Sequence, residues 1–478
     1  MIEHIPLNER QPRMEAAGLP REAVTTFLQS VRAWEARTAP ESLDADLVPV
    51  QAICRQGREL LAHLPRKSER DATQKDAGHV IFHLLADASW RFFRHHAQSV
   101  YRELTNNGTR SLRVDELAWR AAERLPDILP TEDELRAESE LLQKDKDGLE
   151  INQGLFFSHL FRDRAIGSHL IRAMLRPLPQ SFEYLDEFRK TGRVQLDKAL
   201  VEAKEQAGYL TFQNLRYLNA EDDTTMVPFE IATDLILLHP DLRMGVMRGG
   251  VVDHPKYAGR RVFSAGINLT HIYHGKKSYL GFLTKNLGFF NKVHRGILPP
   301  GPDSLDVPLD EPETTVEKPW VAVVETFAIG GGCQLLLVAD YVIAETGSFF
   351  SLPARKEGII PGLANLRLPR FTGESLARQA IMFDKLFKVE TPEGRTIVSE
   401  VVAPEEIEAA VTRCASNALG AGMVSISANR KALRAQTESM EALRQYMVIY
   451  AREQAFCHLS DDLIRNLEKN WNAQQRKL

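Results

Sequence analysis

Trp320-Val-Ala-Val-Val-Glu-Thr-Phe327, followed closely by Gly330-Gly-Gly-Cys-Gln-Leu-Leu-Leu-Val-Ala-Asp340, sets the frame for this 478-residue chain. The first stretch is almost continuously apolar, the pattern of a strand buried on both faces. The second opens a buried helix directly after a glycine run, and Tyr341–Glu345 reads as the next strand. Strand, helix and strand in succession imply an α/β core with a mainly parallel sheet. Working outward, Ala199–Phe212 reads as two short strands around a turn. Asp223–His239 reads as a helix with Pro228 in its first part. Met244–Arg248 is a strand stopped by Gly249-Gly250, and Tyr279–Arg295 is helical. Ile297–Pro319, with six prolines and several acids, reads as a long loop.

On either side the pattern is helical. Arg21–Arg37, Val48–Leu64 and Ala77–Leu104 carry apolar residues at three- and four-residue spacing. Pro40, Pro65, Pro126, Pro130, Pro177 and Pro179 punctuate them. From Pro404 onward the chain is again helical, ending in long amphipathic segments such as Met440–Phe456. The expected division is a helical N-terminal domain over 1–190, an α/β core over 191–403, and a C-terminal helical region over 404–478 that serves oligomerisation. A chain of this length exceeds a single hydrophobic core.

Composition excludes several function classes. Net charge is -4, without the broad basic character that nucleic acid requires. Met1–Arg13 lacks the apolar region of a signal peptide. Apolar runs such as Leu335–Ala339 fall far short of the roughly 20 residues that span a bilayer. Cys54, Cys333, Cys414 and Cys457 are scattered, so reduced thiols in a cytoplasmic setting are expected. His79/His83 and His271/His274 are close pairs, but neither has a carboxylate at facial-triad spacing, so no metal site is expected.

Two glycine-containing turns carry the chemistry: Val262-Phe-Ser-Ala-Gly-Ile-Asn-Leu269 and Phe327-Ala-Ile-Gly-Gly-Gly-Cys-Gln334. Each follows an apolar stretch and exposes backbone N–H groups. Gly331 is expected at a helix N-terminus, where unpaired N–H groups favour negative charge and glycine admits a ligand close to the backbone. Two N–H groups converging on one oxygen make an oxyanion hole. A triple glycine by itself is more often a packing or turn device than a catalytic one, and it is the ordered pair of turns that is informative.

The sequence from about Val194 to Arg430 resembles the crotonase (enoyl-CoA hydratase/isomerase) superfamily. The matching pieces are Leu218-Asn219-Ala220, Phe263-Ser264-Ala265-Gly266, Gly330-Gly331-Gly332-Cys333, Ala339-Asp340 and Glu357-Gly358-Ile359-Ile360-Pro361-Gly362. The resemblance implies a core of ββα turns, assembly as trimers or hexamers, and an oxyanion hole for an acyl-CoA thioester made by the amides of Ile267 and Gly331. Hydratases of this family carry a glutamate directly after the Gly-Gly-Gly-Cys run. They carry a second in the segment resembling Phe350-Ser-Leu-Pro353-Ala354. Here these positions are Gln334 and Ala354, and neither an amide nor a methyl moves protons near neutral pH.

Oxyanion turns without those glutamates, joined to a helical N-terminal half, resemble the arylacetyl-CoA dioxygenase branch of the superfamily. Gly249–Thr270 resembles that branch especially closely. The implied reaction uses no metal or organic cofactor and converts 3,5-dihydroxyphenylacetyl-CoA and O₂ to the arylglyoxylate and free CoA, a step towards an arylglycine of glycopeptide antibiotics. Gln334 then meets the ring or the peroxide, Glu221 a ring hydroxyl, and Lys285 stands nearest to an arginine of that branch. Ala265, Gly266, Asn268, Leu269, Ile329, Gly330 and Gly332 are expected around the substrate, and Arg260 and Arg261 at the CoA phosphates. Plainer readings stay open. Glu221-Asp222-Asp223 also reads as a helix N-terminal acid cluster, Arg260-Arg261 as surface charge, and Cys333 as a small packing residue. Rival functions are a hydrolase or isomerase with Glu325 or Glu357 as base, and a non-catalytic CoA-thioester binder.

Overall fold

The computed structural model describes residues 5–307, 315–420 and 422–478. In chain order the strands are β1 (Arg193–Gln195), β2 (Ala199–Lys204), β3 (Ala207–Phe212), β4 (Met244–Gly249), β5 (Trp320–Val324), β6 (Phe327–Ile329), β7 (Tyr341–Glu345), β8 (Phe349–Ser351), β9 (Phe387–Lys388) and β10 (Glu400–Val402). One sheet runs β1-β2-β3-β4-β5-β7-β10 and a smaller one β6-β8-β9. Pairing is antiparallel from β1 to β3 and parallel from β3 through to β10. This is a mixed α/β fold with a mainly parallel sheet, as the alternation of strand and helix predicts.

Burial on both faces explains the apolar run of β5, since successive side chains point to opposite sides. Val321 and Val323 join Met244, Val246 and Ile343 in a cluster covered by Ile407, Ala410 and Val411 of the helix Ile407–Gly420. Trp320, Ala322 and Val324 enter the larger cluster on the other face, with Leu235 and Ile236 of the helix Asp223–Leu238. Fully burying one such side chain stabilises the fold by about 1.5–3 kcal/mol.

Up to Thr191 the regular elements are all helical among the described residues. Ala72–Leu104 is the longest helix, started by a reciprocal cap between Asp71 and Gln74. These helices do not keep a core of their own. Phe156, Leu160 and Val100 share one apolar cluster with Ile267, Tyr279 and Leu283, and with Met447, Tyr450 and Leu463 near the C-terminus. The helix Met440–His458 lies so close against Ile151–Arg162 that a Cβ added at Gly154 would sit 2.5 Å from the Ala455 Cβ. Met440, Leu443, Met447, Tyr450 and Leu463 of the amphipathic C-terminal pattern thus pack within the chain itself.

Two elements differ from the sequence reading. The strand expected over Trp320–Phe327 ends at Val324. Thr326 adopts a left-handed φ of 67°, and the chain leaves the large sheet to start β6 in the small one. The helix expected over Tyr279–Arg295 breaks at Gly288, where the Glu230 carboxylate crowds the backbone: an added Cβ would lie 2.6 Å from Glu230 Oε2. The loop after Ile297 returns to pair Ile297 with Val316. It is anchored where Asp303 accepts from Arg172 at 3.0 Å. Its residues 308–314, like the first four residues of the segment read against a signal peptide, lie outside the described residues.

Three parts of the fold meet at Glu438. Its fully buried carboxylate accepts from Arg367 at 2.9 Å and Arg370 at 2.8 Å, and lies 3.3 Å from Arg295. Burial alone would raise its pKa, but Arg367, His294 and Arg295 hold it well below the ordinary glutamate value. Glu438→Ala, which leaves these buried cations uncompensated, is expected to cost about 3–5 kcal/mol in urea unfolding at pH 7. Because the folded-state pKa is depressed, the contribution is complete above the unfolded glutamate range and is lost as pH falls through the folded value. The gap between wild type and variant should therefore narrow in acid.

Candidate active site

Three stretches of backbone lie side by side outside the large sheet. The Ala265 amide donates to the Leu218 carbonyl at 3.0 Å, the Glu221 amide to the Gly266 carbonyl at 2.7 Å, and the Asn268 amide to the Glu221 carbonyl at 2.7 Å. On the other side, the Ile329 amide donates to Ser264 at 2.9 Å, and the Gly330 amide to Ser351 at 2.9 Å. Residues 263–268 are thus held from both flanks. The Glu221–Ile267 bridge is parallel, so its two hydrogen bonds use the amides of Glu221 and Asn268 and leave that of Ile267 uncommitted. Neither the Ile267 nor the Gly331 amide donates to a carbonyl among the described residues.

Glycine lets the two turns touch. Gly266, at φ 82°, is so close to the second turn that an added Cβ would lie 2.9 Å from the Ile329 carbonyl oxygen and 3.2 Å from the Gly330 Cα. Gly330, at φ 52°, faces back towards the Ile267 nitrogen, 3.8 Å from where its own Cβ would be. The helix Gly331–Leu336 then begins where the sequence predicts. Ile267 and Gly331 line one small cavity of about 20 Å³, together with Gln334, Lys285, Ala354, Glu357 and Tyr450.

The consecutive acids 221–223 divide three tasks. Asp222 caps the helix Asp223–Leu238 and accepts from Asn268 Nδ2 at 2.9 Å. Asp223 is paired with Lys277. Glu221 turns the other way and is 3.0 Å from Lys285 Nζ, both side chains being almost fully buried. Its second oxygen has no hydrogen-bond partner among the described residues. Lys285 also reaches Gln334 Oε1 at 3.4 Å. Two helices, Leu280–Leu287 and Gly331–Leu336, and the turn before Asp223 thus deliver Lys285, Gln334 and Glu221 to one place, with the Glu221 carboxylate over Gly331.

Other expected residues stand around this group rather than in it. Gly332 packs on Ser264, Asn268 caps the short helix Leu269–Tyr273, and Leu269 packs against the large apolar cluster. Ala265 and Ile329 sit in a small apolar cluster with Val262 and Phe327. Arg260 and Arg261 do not line the cavity. Arg260 is paired with Glu345 at 2.6 Å, and Arg261 donates to the Gly249 carbonyl at 3.0 Å. Cys333 is fully buried, and burial pushes its thiol pKa up, as for a packing residue. His79 and His83 stack edge to face, 4.2 Å between ring centres, and no group of three or more metal-ligating side chains occurs among the described residues. No helix among them is long and apolar enough to cross a membrane.

Of the two carboxylates named as rival bases, Glu325 is spent on Arg248, at 2.6 and 2.8 Å. Glu357 lines the cavity, and burial pushes its pKa up to about 7 despite the opposing charge of Lys285. The sequence reading missed the cavity wall contributed by Phe282, Leu352 and Tyr450. Tyr450 is brought there from the far C-terminus and accepts from Asn286 Nδ2 at 3.0 Å. Local pattern carries no signal for a contact over that separation.

Gly331→Ala is a direct check of the arrangement. A Cβ at this position would lie 2.1 Å from both carboxylate oxygens of Glu221, so either the turn or the Glu221–Lys285 pair must move. Steady-state turnover of an acyl-CoA substrate is expected to fall by about 10²–10³, the usual cost of one lost oxyanion donor. The circular dichroism spectrum should stay that of the wild type.

Residues 310–466 match the enoyl-CoA hydratase/isomerase family. The chain is 41% identical over 407 residues to (3,5-dihydroxyphenyl)acetyl-CoA 1,2-dioxygenase of Amycolatopsis orientalis, covering 85% of this chain and 91% of that one. A crotonyl-CoA hydratase of Syntrophomonas wolfei is 32% identical over 149 residues, or 31% of this chain and 56% of the hydratase. Among solved structures, an enoyl-CoA hydratase from Mycobacterium avium subsp. paratuberculosis covers 59% of this chain and 99% of its own, at 18% identity and a TM-score of 0.47. On the strength of the extended match to the Amycolatopsis protein, the chain belongs to the enoyl-CoA hydratase/isomerase (crotonase) family.

Proposed function

We propose that this protein is an arylacetyl-CoA 1,2-dioxygenase, converting 3,5-dihydroxyphenylacetyl-CoA and O₂ to 3,5-dihydroxyphenylglyoxylate and free CoA without metal or organic cofactor. The observation that carries the reading is a combination in one cavity. Two uncommitted amides, of Ile267 and Gly331, stand beside Gln334 and Ala354 instead of the two glutamates a hydratase needs. The named activity of the Amycolatopsis relative supports the substrate and the oxidation.

The chemistry follows from where charge develops. The two amides stabilise negative charge on the thioester oxygen when a proton leaves the adjacent carbon. The electron-rich ring spreads the carbanion, which is itself the reductant of O₂. The resulting peroxide attacks the thioester carbonyl and expels the CoA thiolate. Loss of the second alpha proton with O–O cleavage leaves the arylglyoxylate. Over the whole reaction one thioester and one O₂ give one arylglyoxylate, one CoA thiol and one proton. Lys285, held by Glu221 and Gln334, offers the cation that meets a ring hydroxyl or the peroxide. The apolar walls from Phe282, Leu352, Ile359 and Ile360 keep water from the carbanion. We assign self-association to the helix Met423–Thr437, which leaves Val424 and Leu433 largely exposed.

Glu357 in the cavity favours one rival, a non-oxidative isomerase or hydrolase that moves protons without O₂. Oxygen uptake decides between them. With 3,5-dihydroxyphenylacetyl-CoA and a strong chelator, one O₂ should disappear for each CoA released. Thioester loss without O₂ uptake would establish the rival.

A further inference from the structure

We propose that Glu357 is the catalytic base that removes the proton alpha to the thioester. This rests on the proposed function and adds the group that starts the reaction. Glu357 closes the four-residue helix Ala354–Glu357, and Ala354 and Glu357, three residues apart on one face, both line the cavity that holds the Ile267 and Gly331 amides. The two carboxylates at this site are not equivalent. Glu221 is held in a buried ion pair with Lys285, whereas the Glu357 side chain receives no hydrogen bond among the described residues. A base must have a lone pair free towards the substrate, and Glu357 has one. The backbone beside it is fixed from behind: Gly358, at φ 86°, ends the helix against Leu463 and Asn466, while Glu357 itself lines the cavity.

In the step, the Glu357 carboxylate forms an O–H bond as the substrate C–H bond breaks. The electron pair of that bond becomes the enolate, and its charge settles on the thioester oxygen between the two amides. After O₂ has added to the carbanion, the protonated Glu357 returns the proton to the departing CoA thiolate.

A base of this kind works best with a pKa near the operating pH. Burial raises the Glu357 carboxyl to about 7, Lys285 opposes the rise, and Asp384 adds to it. Most charges on the elements packed against this helix have partners of their own: Arg367 and Arg370 are held by Glu438, Glu374 by Arg378 and Asp461 by Lys67, while Lys469 is the remaining cation of the helix Asp461–Trp471. Asp384 is paired with Lys356, Arg465 with Asp462, and Glu468 accepts from the Tyr273 hydroxyl. The basic form therefore grows as pH rises through about 7.

The test is exchange of the alpha protons of 3,5-dihydroxyphenylacetyl-CoA in D₂O under nitrogen, followed by proton NMR across pH. Wild type should exchange with a rate that rises through an inflection near neutrality. Glu357→Gln should slow exchange by about 10²-fold or more, the usual worth of a positioned base, and lose the inflection while substrate KM stays near that of the wild type. Glu357→Asp should exchange slowly with a displaced inflection. It decides the matter if the glutamine variant does not fold, since an unchanged rate and profile in the aspartate variant would overturn the assignment. Wild-type exchange rates in Glu357→Gln would also overturn it. A wild type that exchanges under nitrogen but consumes no O₂ in air contradicts the dioxygenase reading alone, and the variants still judge Glu357. A wild type that does not exchange contradicts both.

Discussion

The structure around the site depends on the contact between two glycine turns. Gly266 and Gly330 both take left-handed backbone angles and approach so closely that neither could carry a side chain unaltered. That contact aligns residues 263–268 with 327–330, and the hydrogen bonds on both flanks fix the register. An amide fixed in this way does not need to reorganise when charge appears in front of it, which is the physical basis of an efficient oxyanion hole. The large sheet matters to function mainly through where β5 ends, because the reversal at Thr326 carries the second turn to the first.

The cavity is closed by a part of the chain far in sequence from the two turns. Tyr450 comes from the helix Met440–His458, and that helix is seated on the N-terminal helices through the shared apolar cluster. The helical half therefore stiffens one wall of the site. A dry wall serves oxygen chemistry twice: O₂ is apolar and enters such a pocket readily, and a carbanion survives there because water is excluded.

Much of this was legible in the sequence. The parallel core followed from Trp320–Val324 and the segments around it, because burial on both faces leaves a continuous apolar run. The two turns followed from glycines placed after strands. The meeting of Glu221, Lys285 and Gln334 was only partly legible. Each residue could be named from the family resemblance, but the Glu221–Lys285 ion pair and the hydrogen bond from Lys285 to Gln334 join three separate elements. Plain sequence reading merged β5 with β6 and ran one helix through Gly288, since a single left-handed threonine or a crowding carboxylate leaves no periodic mark. Arg260, attractive as a phosphate ligand by charge alone, is engaged by Glu345, a partner distant in sequence. Tyr450 and the proton-accepting setting of Glu357 emerge only from tertiary packing.

In the proposed reaction the Ile267 and Gly331 amides polarise the thioester carbonyl. Infrared spectroscopy of arylacetyl-CoA labelled with carbon-13 at that carbonyl, bound to the protein under nitrogen, measures this most directly. A carbonyl stretch at lower frequency than in water is expected, reflecting two donors stronger and better aligned than solvent. A band at or above the solution frequency would contradict it, because the thioester oxygen would then lie outside the oxyanion hole.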